Sequence, residues 1–395
     1  MKPKAAACPP WLAQHLQQAG GVVPFRQFMD WALNDPVHGY YGSGEASIGP
    51  QGDFVTSPSL GSDFAALLAK QLADWMAVLQ SMDRGSDRLS IVDVGPGEGD
   101  LAADLIAALL ALKPDLGDVV DLILVERNPG MIRRQQERLG AIEGISIRWC
   151  SLEALQDVPI RGVILAHELL DALPVDRLVW QQQQWWLQGV GIDADGGLTD
   201  VRLPLSASHR QGIERLQRDL GIPLPPENAE DGWSSEWPIS LDPWFAEAAQ
   251  ALDQGVLLVI DYALEARRYY TRQRSDGTLM AYSAQRGTAD WFQAPGQQDL
   301  TAHLCIEALS AAAGRAGWTA ISSCRQGEAL LALGLAQRLH ALQSLHPSQL
   351  AMALQRREAM LRLVDPAGLG EFRWLLYGMG VDFDRFNLPV PSGSS

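Results

Sequence analysis

Leu89-Ser90-Ile91-Val92-Asp93-Val94-Gly95-Pro96-Gly97-Glu98-Gly99-Asp100 decides the fold. Its first six residues form a short apolar run that reads as a buried strand, and three alternating glycines then lead into a helix expected over 101–112. Gly95 permits the tight turn off the strand, Gly97 lets bare backbone approach a ligand, and Gly99 lets the helix pack near the sheet. Backbone N–H groups at the start of such a helix attract a carboxylate or phosphate. The next apolar run, Leu122-Ile123-Leu124-Val125, ends on an acid, Glu126. A carboxylate there can accept hydrogen bonds from the hydroxyls of a ribose.

Two ligand classes share this logic. The dinucleotide fingerprint spaces its glycines G-x-G-x-x-G, whereas here the third comes one residue early, and Glu98 and Asp100 would repel a pyrophosphate. A zwitterionic amino-acid tail tolerates those carboxylates better. The loop, with Asp93 before it and Glu126 beyond it, is therefore a candidate S-adenosyl-L-methionine site. A glycine turn that merely closes a βα unit is the plainer reading, and the spacing to Glu126 counts against it.

Composition narrows the class. The 395 residues exceed one average domain, so a main domain with an insertion or second lobe is expected. A net charge of −16 disfavours nucleic acid or an anionic membrane as main partner, and weakly favours a cationic substrate. Cys8, Cys150, Cys305 and Cys324 form no C-x-x-C pair, which fits a reducing compartment and implies no disulfide frame and no metal. The stretch 5–10 is too short for a signal core and no apolar run approaches a membrane span. A soluble, cytoplasmic protein is the resulting expectation.

Strands at 90–94, 121–126, 144–149 and 161–166 alternate with helical segments, and a later strand at 256–260 rejoins them. This predicts an α/β fold with a doubly wound parallel sheet. Ahead of it, helices are expected at 11–19, 25–33 and 60–79, with a glycine- and proline-rich loop at 36–58. The stretch 178–190 reads as a β-hairpin with the four glutamines 181–184 at its tip, and 204–244 as an irregular insertion. The segments 335–342, 349–363 and 371–377 read as helices, and 389–395 as a frayed tail. The organisation expected is 1–80 as a helical region and ligand-covering loop, 81–335 as the main domain with an insertion at about 178–250, and 336–395 as C-terminal helices and tail.

The densest polar cluster follows the fourth strand: Ala166-His167-Glu168-Leu169-Leu170-Asp171-Ala172-Leu173-Pro174. Acids there commonly cap a helix start, but the carboxyl edge of such a sheet is also where ligands bind. His167 lacks the second histidine of a zinc motif. Gly39-Tyr40-Tyr41 and Gly52-Asp53-Phe54 to Ser57-Pro58 suit close ligand contact or a plain connector. Asp261-Tyr262, at the end of the fifth strand, and the stretch from Gly277-Thr278-Leu279 to Asp299-Leu300-Thr301-Ala302-His303 form a further cluster.

In this order these segments resemble the MidA family of S-adenosylmethionine-dependent methyltransferases, over about 28–335. The resemblance rests on P-x-x-G-Y-Y at 36–41, the Gly52 to Pro58 loop, the Gly95 to Gly99 loop, His167-Glu168 to Pro174, Gly277-Thr278-Leu279, and Pro295-Gly296 with Asp299 to Ala302. It implies a Rossmann-like class I methyltransferase sheet with a helical N-terminal region and an inserted substrate lobe, and S-adenosyl-L-methionine as cofactor. The mitochondrial members methylate an arginine of a respiratory complex I core subunit and act in its assembly. Carried over by position, Asp93, Gly95, Gly97, Gly99, Glu126, Gly52 and Asp53 would bind cofactor. His167, Glu168 and Asp171 would act in catalysis, and Pro174, Asp261 and Tyr262 would bind substrate. The partner would be a protein client, with neither nucleic acid nor membrane insertion, and a homodimer stays open. The chain departs from the family at Ser59, Ala263 and Cys305, where an acid, a glycine and an Asp are usual. A non-catalytic assembly chaperone on the same fold and a small-molecule methyltransferase are the alternatives.

Overall fold

The computed structural model describes residues 7–44, 46, 49, 52–82 and 88–389. Of the tail expected at 389–395, all but Pro389 lies outside the described residues. The chain groups into two units, each assembled from alternating stretches where the sequence reading draws three consecutive segments. One comprises Met1–Ala46, Asp171–Asp242 and Ala263–Ala312, the other Ser47–Leu170, Pro243–Tyr262 and Ala313–Ser395.

The second unit carries a seven-stranded sheet in the order Thr319–Arg325, Arg373–Met379, Leu252–Asp261, Ile160–His167, Leu89–Val94, Val120–Val125, Ser146–Cys150. Every residue of Leu89–Val94 and Ile160–His167 is buried, as sheets covered on both faces require. Ile91, Leu122, Leu165, Leu258 and Trp374 face a core shared with the helices Asp63–Ser81, Asp100–Leu112 and Leu350–Leu363. Val92, Ile123, Ile164 and Leu257 alternate with them and are equally buried. The register aligns Val94 with Val125 and Ala166, and Ile260 with His167. Gly95, Glu126, Glu168 and Tyr262 thus follow the carboxyl ends of four neighbouring strands.

The sheet is mixed rather than wholly parallel: Arg373–Met379 pairs antiparallel with both neighbours. This corrects the helix expected over 371–377. The segment is buried along nearly its whole length, so it lacks the alternation that marks a strand. Thr319–Arg325, a partly exposed edge strand with a polar middle, escaped the sequence reading altogether.

The other unit holds an antiparallel sheet of Val23–Pro24, Gln184–Ile192, Asp176–Gln181 and Ser234–Trp237, with Leu198–Leu203 also paired to Gln184–Ile192. The expected hairpin is there. Gln182 and Gln183 turn it with φ of +52° and +56°, left-handed at both positions, as a two-residue turn matched to strand twist demands. Inside the stretch expected to be irregular lies a helix, Ala207–Leu220, whose first turn is capped by the Ser206 hydroxyl accepting the His209 N–H. Its C-terminus closes on Gly221 in the left-handed region. Arg177 and Glu236 pair across neighbouring strands and are both at most 1% exposed, with the guanidinium 4.3 Å from the Trp291 ring centroid. Among the described residues, no helix is long and apolar enough to cross a membrane.

Candidate functional site

The glycine loop leaves Leu89–Val94 with φ of +69° at Gly95, +54° at Gly97 and +83° at Gly99, each in the region that favours glycine. Gly95 donates its N–H to the Val125 carbonyl at 3.0 Å, tying the loop to the neighbouring strand. A Cβ on Gly95 would lie 2.7 Å from Leu169 Cδ1, so the turn after the fourth strand packs directly on this loop. Gly99 serves as N-cap of the helix Asp100–Leu112.

Glu126 does not swing free beyond its strand. Its Oε1 accepts the N–H groups of Arg127 (2.7 Å) and Asn128 (2.8 Å), while Oε2 accepts Gln135 Nε2 at 3.3 Å. The same amide nitrogen donates to the Gly97 carbonyl at 2.8 Å, and Gln135 Oε1 accepts the Trp149 indole N–H at 3.0 Å. Gln135 is fully buried on the helix Pro129–Leu139. It joins the two parts of the loop-and-acid pair, and sequence reasoning passed over it, because no local pattern marks it.

Asp93 is 2% exposed, and its Oδ2 has no hydrogen-bond partner among the described residues. Burial, with Glu126 adding like-charge repulsion, pushes its carboxyl up to about 7. Because the folded-state value lies above the unfolded one, the folded protein holds a proton that the unfolded chain has already released. Stability contributed by the neutral form is complete below about pH 4 and is lost as pH rises towards 7. Asp93→Asn is expected to raise the melting temperature of ligand-free protein at pH 8 and leave it unchanged at pH 4. Thermal unfolding across that range checks it; an equal shift at both pH values would contradict the assignment.

On the next strand over, Glu168 adopts φ +47°, a left-handed conformation that is uncommon and strained for a non-glycine residue. Its N–H donates to the Ile260 carbonyl (2.9 Å), and its Oε1 accepts the backbone N–H of Ser57 (3.1 Å). Ser57 is itself fully buried and hydrogen-bonded through its hydroxyl to Gln326, which also donates to the carbonyls of Leu363 and Leu369. A buried relay thus holds the Glu168 side chain in a strained backbone conformation. His167 lies against Phe64, with Nε2 3.5 Å from Glu168 Oε1. That separation makes no hydrogen bond, and burial pulls the imidazole down to about 3, so the ring is neutral and the contact is no ion pair.

Asp261 is completely buried; Oδ2 accepts the Leu170 N–H (3.0 Å) and Oδ1 accepts its neighbour Tyr262 N–H (2.8 Å). This fixes the His167 to Leu170 turn from beneath. Tyr262 packs on Phe372 with centroids 4.0 Å apart. Gly52 donates to the Gly49 carbonyl in the loop bearing half-buried Asp53, which precedes Ser57.

Asp171 and Pro174 belong to the other unit. There the Asp171 carbonyl accepts the Ala302 N–H (2.9 Å), and Tyr41 donates its phenol to Asp299 at 2.9 Å. Burial, then Asp299, Tyr40 and Asp171, hold the Tyr41 phenol well above its usual range, so it stays a donor. Three motifs far apart in sequence, at 40–41, 171 and 299–302, thus meet within one unit. Pro174 offers its carbonyl to the Ser240 hydroxyl. Among the described residues no group of three or more His, Cys, Asp or Glu is arranged to hold a metal ion.

The buried, unpaired Asp93 oxygen, the left-handed glycines and the anchored Glu126 suit a ligand with a cationic centre and a ribose. Comparison with known proteins agrees. The Methyltransf_28 family model of S-adenosyl-L-methionine-dependent methyltransferases matches residues 67–324. The chain is 27% identical over 378 residues to the Danio rerio "Protein arginine methyltransferase NDUFAF7, mitochondrial", covering 89% of this chain and 82% of that protein. It is likewise 27% identical to the Drosophila melanogaster homologue of that name, covering 91% and 82%. Among solved structures, a COG1565 superfamily member from Burkholderia thailandensis, bound to S-adenosyl-homocysteine, superposes with a TM-score of 0.82 at 28% identity, covering 98% of this chain and 99% of that one. The expected cytoplasmic location is corrected: both named relatives are mitochondrial proteins.

Proposed function

The chain belongs to the Methyltransf_28 family of S-adenosyl-L-methionine-dependent methyltransferases, and from that premise we propose that its methyl acceptor is an arginine of a protein client, a subunit of a respiratory NADH dehydrogenase-like complex. The observation that carries this reading is Glu168, a carboxylate held in a left-handed backbone and aimed by the Ser57 N–H.

When bound, S-adenosyl-L-methionine supplies a methyl group on a sulfonium that leaves readily. Gly95, Gly97 and Gly99 offer it backbone, Glu126 a ribose acceptor and Asp93 a carboxylate that ionises against positive charge; Gly52 and Asp53 complete the cofactor set. An arginine guanidinium keeps its proton far above neutral pH, so methylation needs a carboxylate to fix its plane and accept a proton as the new bond forms. Glu168 takes that role, with neutral His167 packed beside it. Asp261, each of whose oxygens accepts a backbone amide, holds the turn that carries Glu168. The relatives named as protein arginine methyltransferases support the same acceptor.

The test is transfer of labelled methyl from S-adenosyl-L-methionine into a lysate of a strain lacking this protein. A labelled protein band that yields methylarginine on hydrolysis is the result expected. Label only in small metabolites would replace the client by a metabolite, and no label at all would leave a non-catalytic assembly chaperone.

A further inference from the structure

We infer that Gln135 is a positioning residue for the adenosyl ligand, and that it sets Glu126 to read the ribose through a single open position on Oε2. The inference rests on the cofactor reading above and extends it to a residue outside the glycine loop and its paired acid.

The orientation of the amide is fixed by chemistry. The Trp149 indole can only donate, so the oxygen of Gln135 must face it, and the NH₂ group must then face the Gly97 carbonyl and Glu126. With 0% exposure, the amide has no water to turn towards. Each of its polar atoms is therefore committed, and a rotation would break three bonds at once. Its β- and γ-carbons also press on the loop: a Cβ at Gly99 would lie 3.5 Å from Gln135 Cγ. The side chain thus fixes the distance between the loop backbone and the acid on the next strand.

Counting acceptors on Glu126 gives the second half of the inference. An ionised carboxylate has about four acceptor positions. The Arg127 and Asn128 N–H groups fill both on Oε1, and Gln135 fills one on Oε2. One position on Oε2 stays open. A ribose diol met by this carboxylate is held by one charge-assisted bond in a fixed direction, instead of two bonds to a swinging side chain. The direction is set by Gln135, since the two backbone N–H groups constrain only the other oxygen.

Calorimetric titration of the full chain with S-adenosylhomocysteine and with its 2′,3′-dideoxy analogue separates positioning from mere support. Gln135→Leu keeps the bulk and removes the donor. We expect its affinity for S-adenosylhomocysteine to fall about tenfold or more, the size of a lost hydrogen bond to a charged group. Its affinity for the dideoxy analogue, which cannot use Glu126, should change less than about threefold on the same reasoning. Gln135→Glu supplies a second arm. Its carboxylate repels Glu126 at pH 7.5 but regains one donor when protonated, so its deficit should shrink at pH 5.5. Equal losses for both ligands, or no loss for either, would overturn the inference. If the unaltered protein itself fails to bind S-adenosylhomocysteine, the cofactor reading has failed first and takes this inference with it.

Discussion

Replacing Glu168 by Gln is expected to lower methyl transfer about 10³-fold, within the range that a positioned general base contributes, while affinity for S-adenosylhomocysteine stays within a few-fold. The amide keeps the size of the side chain and can still accept the Ser57 N–H through its oxygen. It cannot take up a proton or pair with a guanidinium. A companion substitution uses the backbone. Because residue 168 sits at φ +47°, Glu168→Gly relieves strain of about 1 kcal/mol but leaves the buried Ser57 N–H without its acceptor at a cost of about 1–3 kcal/mol, so stability in urea unfolding should change by no more than about 2 kcal/mol while transfer is removed. A residue kept for packing would leave transfer intact. Full transfer activity in Glu168→Gln would end the assignment.

Gly97→Val carries the second large effect. A β-branched residue at φ +54° is strained by about 1–2 kcal/mol, and its side chain covers the backbone that the loop otherwise leaves bare. Affinity for S-adenosylhomocysteine should drop by at least about 100-fold, beyond what one lost hydrogen bond explains. Gly97 lies in a loop and is half-buried, so the fold should survive with a modest fall in melting temperature. Calorimetry and thermal unfolding on one preparation distinguish the two effects. Unchanged affinity would mean that the loop does not meet the ligand.

Much of the fold was legible because the relevant signals are local. Leu89–Val94, Val120–Val125 and Ile160–His167 are apolar runs of strand length, and each is followed by a breaker or an acid. Arg373–Met379 is also an apolar run, but nothing in its period tells a doubly buried strand from a buried helix. Thr319–Arg325 fails for the opposite reason, since an edge strand facing partly to solvent needs little apolar surface. Within 204–244 the cap signals of a helix were present at Ser206 and Gly221, yet prolines and tryptophans on either side dominated the reading.

The candidate site divides along the same line. The glycine loop and Glu126 stand out because one strand–loop–helix passage contains the first and the following strand ends on the second. The partners that orient them come from elsewhere. Gln326 reaches Ser57 across 269 positions, and Gln135 reaches the Gly97 carbonyl across 38. Such pairings are made by the sheet bringing distant helices to one edge, and no single-sequence pattern encodes them. Asp261 is the instructive case. Its place at a strand end made it a candidate substrate ligand, and the fold adds a second job, with each of its oxygens accepting one backbone amide.

The most direct measurement is calorimetric titration of the unaltered protein with S-adenosylhomocysteine, run at pH 6 in two buffers of different ionisation enthalpy. Saturable binding of one ligand per chain, accompanied by net proton release as buried Asp93 ionises against the ammonium group of the ligand, is the result the account predicts. Absence of heat at millimolar ligand would contradict it.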